Sequence, residues 1–138
     1  MRLFKKLFGT QKRVITEQAS PPSPEPLSIK ELSADALVAL LQADSPVIVV
    51  DLRQTWEYNS GHIPGAINIP MMQLPARLTE IPKDQTVIMQ CYHGVSSLDV
   101  SGYLITNGWD AEKVISLSGG ISGWVASQGM EALAGAAD

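Results

Sequence analysis

Thr86-Val-Ile-Met-Gln90 is a short apolar run that leads directly into Cys91-Tyr-His-Gly-Val-Ser-Ser97, and a helical pattern then closes at Asn107-Gly108. The first part lacks the alternation of a half-solvated strand, so it reads as a strand buried on both faces. His93-Gly94 supplies the turn. The helix is expected from about Ser97 to Thr106, with Asn107-Gly108 as its C-cap signal. Strand, tight loop and helix in that order form one half of a parallel βαβ unit.

The same signals recur on both sides. Upstream, Pro46-Val-Ile-Val-Val-Asp-Leu52 is a second buried strand. It is preceded by a helix over Ala34–Gln42 with Ser33 as N-cap, and by a short extended piece at Leu27–Ile29. A helical turn around Thr55–Asn59 leads to Gly61-His-Ile-Pro-Gly65 and a small strand at Ala66–Ile69. A helix is expected over Met72–Glu80, with Pro75 tolerable only in its first turn. Downstream come a strand at Val114–Leu117, a turn at Gly119-Gly120 and a last helix over Ile121–Gln128. The alternation predicts an α/β fold: a parallel sheet flanked by helices on both faces, in a single domain with a short N-terminal extension.

The chain has 138 residues, 45% hydrophobic and 17% charged, which suits one globular domain with its own core. Of its ten Lys and Arg, five (Arg2, Lys5, Lys6, Lys12, Arg13) precede any acid. From Val14 onward five bases face fourteen acids, a net of −9. An acidic body excludes nucleic acid as the main partner, because it offers nothing to neutralise a run of phosphates. Residues 1–26 read as a basic head followed by the proline-rich linker that carries Pro21, Pro22, Pro24 and Pro26. In the head, Leu3, Phe4, Leu7 and Phe8 fall at helical spacing among the bases, so residues 1–13 are expected either to touch a membrane surface or protein weakly or to fray. The domain is expected over residues 27–130, and a disordered tail over 131–138.

One cysteine, Cys91, rules out an internal disulfide, an all-cysteine zinc site and a CxxC pair. With His62 and His93 it does not make up a zinc site, so no metal and no cofactor is expected. In an open parallel sheet, ligands bind beyond the carboxyl ends of the strands, which is where Cys91 falls. The loop behind it can turn successive N–H groups inward at a helix N-terminus, cradle an anion and stabilise a thiolate. Gly94 suits positive φ or close backbone approach, and Ser96 and Ser97 can add hydroxyl donors. The alternative is an inert cysteine capping a buried strand.

Cys91-Tyr92-His93-Gly94-Val95-Ser96-Ser97 resembles the active-site loop of the rhodanese-domain sulfurtransferases, in the variant of small single-domain thiosulfate sulfurtransferases. Val50-Asp-Leu-Arg53, Trp56-Glu-Tyr58 and Gly61-His-Ile-Pro-Gly-Ala-Ile-Asn-Ile-Pro70 resemble that family's first motif, and Gly119-Gly-Ile-Ser-Gly-Trp124 its closing motif. The resemblance implies a rhodanese-like fold and a catalytic Cys91. That cysteine would take a sulfane sulfur from a small anionic donor as a persulfide and pass it to cyanide or a thiol. Many members carry an arginine where Ser96 stands here, and Val95 offers the donor no hydrogen bond.

Asp51 and Arg53 share the sheet edge with Cys91. Either Arg53 attracts the anionic donor, or Asp51, Arg53, Glu57 and His62 form a network that pins the loop, which is the reading favoured. Trp56, Trp109 and Trp124 read as core or edge packing. Two other functions compete: a cysteine-based phosphatase or arsenate reductase, and a non-catalytic binding module. The first is disfavoured because residues 92–97 hold no Arg or Lys to stabilise a transferring phosphoryl group. The absence of disulfides and of a signal-peptide run makes a reducing cytoplasm the expected compartment.

Overall fold

The computed structural model describes residues 28–135. The basic head and the proline-rich linker lie outside them. Five strands form one sheet: β1 (Lys30–Leu32), β2 (Val47–Asp51), β3 (Ile67–Asn68), β4 (Thr86–Gln90) and β5 (Val114–Leu117). All neighbours run parallel, in the order β1-β5-β4-β2-β3. Among the described residues the four α-helices are α1 (Ala34–Gln42), α2 (Thr55–Ser60), α3 (Ser96–Thr106) and α4 (Gly120–Gln128).

The sheet divides the core in two. Val50, Val87, Met89 and Val114 face Val100 and Leu104 of α3 and the apolar Leu74 and Ile81. Val49, Ile88 and Leu117 face Leu37 of α1 and Ile121 and Trp124 of α4. β2 and β4 are covered on both sides, which is why their sequences are unbroken apolar runs. Each fully buried aliphatic side chain contributes roughly 1.5–3 kcal/mol.

The chain builds outward in one direction from β2 to β3 and in the other from β4 to β5. The reversal therefore falls between β2 and β4, paired from Val47↔Thr86 to Asp51↔Gln90. Their carboxyl ends leave a crevice at this switch point.

Several local expectations change. Of the extended piece expected at Leu27–Ile29, Leu27 lies outside the described residues and Ser28 and Ile29 are not in a strand. The first strand is Lys30–Leu32, because its register is set by pairing with Ile115–Leu117. No α-helix forms over 72–80. Two 3₁₀ turns, Met71–Ala76 and Leu78–Glu80, take its place, since Pro75 falls too late in the segment for an α-helix to accept it. Of the expected tail, residues 131–135 are among those described: a 3₁₀ turn spans Met130–Ala132, and Ala134 exchanges two backbone hydrogen bonds with His62. Trp109 and Trp124 are buried, but Trp56 is 69% exposed. The six-residue α2 buries no residue, so it has no apolar face to tuck the indole under.

Candidate active site

Cys91 follows the last residue of β4, at the centre of the sheet. Its side chain is buried and its sulfur sits under the N-terminus of α3. The Gly94 N–H donates to Sγ at 3.1 Å and the Ser97 N–H at 3.4 Å, and the Ser97 hydroxyl lies at 3.4 Å. Val95 occupies the N-cap position of α3 and has no side chain to cap it. The sulfur does that work instead, taking an N–H that the first turn leaves free.

Burial raises the Cys91 thiol, and the hydrogen bonds from the Ser97 hydroxyl and the N–H groups of Ser97, Gly94 and His93 outweigh it. The net effect lowers the pKa. A helix N-terminus and inward-turned amides favour the thiolate, the reactive form.

The loop is held in this shape by α4. The carbonyl of Cys91 accepts from the Ile121 N–H at 2.9 Å, and that of Tyr92 from the Ser122 N–H at 3.1 Å. With the Tyr92 carbonyl drawn toward α4, the His93 N–H of the same trans peptide points the other way, toward the sulfur. Two glycines permit the approach. Gly94 has φ of +92°, and a Cβ there would stand 2.7 Å from the Gly119 nitrogen. Gly120 has φ of +56°, and a Cβ there would overlap the Cys91 carbonyl.

The remaining loop residues play unequal parts. Tyr92 is half exposed and stands edge-on to His93. The His93 ring reaches away from the sulfur to the Ser122 hydroxyl, 3.2 Å from Nδ1. Val95 is 69% exposed. Ser96 lines the cleft but makes no hydrogen bond to Sγ, so of the two serines only Ser97 reaches the sulfur. The cleft encloses about 200 Å³ over Cys91, and Arg53, Glu57, Met71, Met72 and Tyr92 share its wall. A larger groove of about 460 Å³ lies elsewhere, between β1 and α3. Its carboxylates, Glu31 and Asp99, make it a poor place for an anion.

Asp51 and Arg53 do come together. Asp51 Oδ1 accepts from the Arg53 backbone N–H and Nε, both at 3.0 Å, and Oδ2 accepts from Nη2 at 2.7 Å. Nη2 also donates to the Gly61 carbonyl at 2.8 Å. The guanidinium is thus committed within the scaffold. Gln90 ties this pair to the active loop, its amide donating to the Cys91 carbonyl at 2.9 Å and lying 3.4 Å from Asp51 Oδ1. Glu57 and His62 are not members of the network. Glu57 caps the start of α2 by accepting from the Gln54 N–H at 3.0 Å. His62 stacks on Tyr58 with ring centroids 3.8 Å apart and sets Nδ1 2.8 Å from the Tyr58 carbonyl.

Sequence reading passed over Ser116. This fully buried serine on β5 places its hydroxyl 2.7 Å from that of Ser97. The signal was a polar residue inside an otherwise apolar strand. Among the described residues no cluster of three or more His, Cys, Asp or Glu is arranged to hold a metal ion. No helix there is long and apolar enough to cross a membrane.

Comparison with known proteins agrees with this geometry. Thiosulfate sulfurtransferase GlpE of Shewanella oneidensis is 39% identical over 97 residues, covering 70% of this chain and 93% of that protein. A protein named sulfurtransferase from Allochromatium vinosum is 35% identical over 96 residues, or 70% of this chain and 88% of the relative. Among solved structures, a rhodanese-like domain protein of Staphylococcus aureus superposes with a TM-score of 0.67 at 34% identity, covering 76% of this chain and 96% of that one. The family described as Rhodanese-like domain matches residues 33–127. With the parallel sheet, the loop after β4 and these matches in agreement, the chain belongs to the rhodanese-like domain family.

Proposed function

We propose that this chain is a thiosulfate-type sulfurtransferase working through a persulfide on Cys91. The observation that carries the reading is the Cys91 sulfur itself, which accepts N–H groups from Gly94 and Ser97 at the head of α3. The thiolate attacks the outer, sulfane sulfur of the donor. One S–S bond forms as the bond between the sulfane sulfur and the sulfonate breaks, and sulfite leaves with the electron pair. Total charge is unchanged: a thiolate and a dianion become a persulfide anion and a dianion. The loop amides then face the persulfide and stabilise it.

With a single cysteine in the chain, no internal disulfide can discharge the persulfide. The outer sulfur passes to an external nucleophile, cyanide or a thiol, and Cys91 leaves as thiolate. No loop side chain clamps the donor through a cation, so anion binding rests on backbone amides and hydroxyls. The names of the Shewanella and Allochromatium relatives support the reaction class.

Intact mass after incubation with thiosulfate tests the proposal. A gain of about 32 Da is expected in the wild type and not in Cys91→Ala, because the adduct requires the thiolate nucleophile. Absence of both the adduct and released sulfite with thiosulfate overturns the reading and leaves a binding module in its place.

A further inference from the structure

We propose that Ser116 is a positioning residue for Cys91: acting through Ser97, its buried hydroxyl directs a proton donor onto the sulfur and favours the sulfur's anionic form. The inference rests on Cys91 being the reacting group. It does not depend on which sulfur donor is used.

The three heteroatoms form a line. Cys91 Sγ lies 3.4 Å from Ser97 Oγ, which lies 2.7 Å from Ser116 Oγ. Ser97 and Ser116 have no exposed surface, and among the described residues Ser116 Oγ has no other hydrogen-bond partner. Position argues against chance packing. On β5 the alternation that sends Val114 into the α3 face sends Ser116 to that face too, where neighbouring strands supply Val50, Val87 and Met89. A buried hydroxyl among such neighbours carries a desolvation cost unless its proton is donated.

A count of protons then distinguishes the two states of the sulfur. The line Sγ–Ser97–Ser116 has two links. As a thiol it carries three protons, so one of them has no protein acceptor. As a thiolate it carries two, and both links are filled: Ser116 donates to Ser97, and Ser97 donates to the sulfur. The proton lost from sulfur leaves to solvent through the cleft, the two hydroxyls rotate, and no other bond changes. The arrangement therefore rewards ionisation at Cys91 from a residue that never touches the sulfur.

The charged and titratable groups around the site are distinct from this line. Arg53 and Glu57 share the cleft wall, Asp51 is reached through Gln90, and the His93 ring is turned to Ser122. Asp99, in the first turn of α3, lines the groove toward β1. None of them bonds to Ser116, so its replacement leaves them in place.

The test is the pH dependence of Cys91 alkylation by iodoacetamide in the full chain, which needs no sulfur donor. Ser116→Val and Ser116→Thr have the same shape and differ by a hydroxyl, so any packing cost of the added methyl is common to both. Ser116→Val is expected to move the midpoint of the profile upward, with alkylation below the midpoint about threefold to tenfold slower than in Ser116→Thr, the range of one net hydrogen bond. Ser116→Ala is expected to follow Ser116→Val, and Ser116→Thr to follow the wild type. Coincident profiles for the valine and threonine variants overturn the proposal. A shifted profile in a protein that takes up no sulfur from thiosulfate overturns the sulfurtransferase reading and leaves this one standing.

Discussion

The Ile121 N–H donates to the Cys91 carbonyl at 2.9 Å, so the first turn of α4 is bonded to the residue that carries the reactive sulfur. The Gly119-Gly120 turn delivers that donor. Gly120 lies so near Cys91 and Tyr92 that a side chain there would occupy the space of their backbone.

Gly120→Ala is therefore expected to cost about 1–3 kcal/mol in backbone strain alone, before the clash with the loop is counted. It should also slow Cys91 alkylation, because the loop amides lose their aim. Urea unfolding and iodoacetamide kinetics measure the two effects. A variant as stable and as reactive as the wild type would show that α4 does not hold the loop.

The lowered Cys91 thiol has a consequence for stability. A group whose pKa falls on folding stabilises the native state fully above its unfolded value, about 8.5 for a thiol, and loses that contribution as pH falls through the folded value. The wild type should therefore gain stability relative to Cys91→Ser as pH rises toward about 8.5. Chemical unfolding of both proteins across this window checks the sign. A difference independent of pH would contradict the thiolate assignment.

The Asp51–Arg53 pair predicts a non-additive pair of variants. Asp51→Ala leaves the nearly buried Arg53 guanidinium without its carboxylate and is expected to destabilise the fold by roughly 3–5 kcal/mol. Adding Arg53→Leu should restore much of that loss, since the unpaired charge is then gone. If the double variant is as unstable as the sum of the single ones, the pair is not what holds this edge.

The tryptophans separate packing from surface. Trp124 is buried between α4 and the sheet, and Trp124→Ala is expected to cost roughly 3–5 kcal/mol. Trp56→Ala should stay within about 0.5 kcal/mol of the wild type, as an exposed side chain requires. Thermal unfolding distinguishes the two directly.

How far the sequence could be read depends on how local each determinant is. β2 and β4 are legible because burial on both faces leaves a continuous apolar run, and Cys91 is legible because it ends one of them. β1 is not, since a three-residue edge strand takes its register from β5 and its own Lys30 and Glu31 carry no periodic signal. The segment after Pro70 keeps a helical look, but Pro75 removes the donor an α-helix needs, and only 3₁₀ turns remain. Trp56 was misplaced because six residues are too few to define a helix face. Ser116 is hidden for a different reason. The strand shows it only as a polar residue among apolar ones, and its partner Ser97 lies on another element.

The ends of the sheet carry one more consequence. The outer strands, β1 and β3, are only three and two residues long. Each offers too few free backbone groups to template a strand from another copy, and β1 adds a lysine on its rim. A parallel sheet whose centre is rich in valine and isoleucine is thus shielded from edge-to-edge aggregation by the brevity of its flanks.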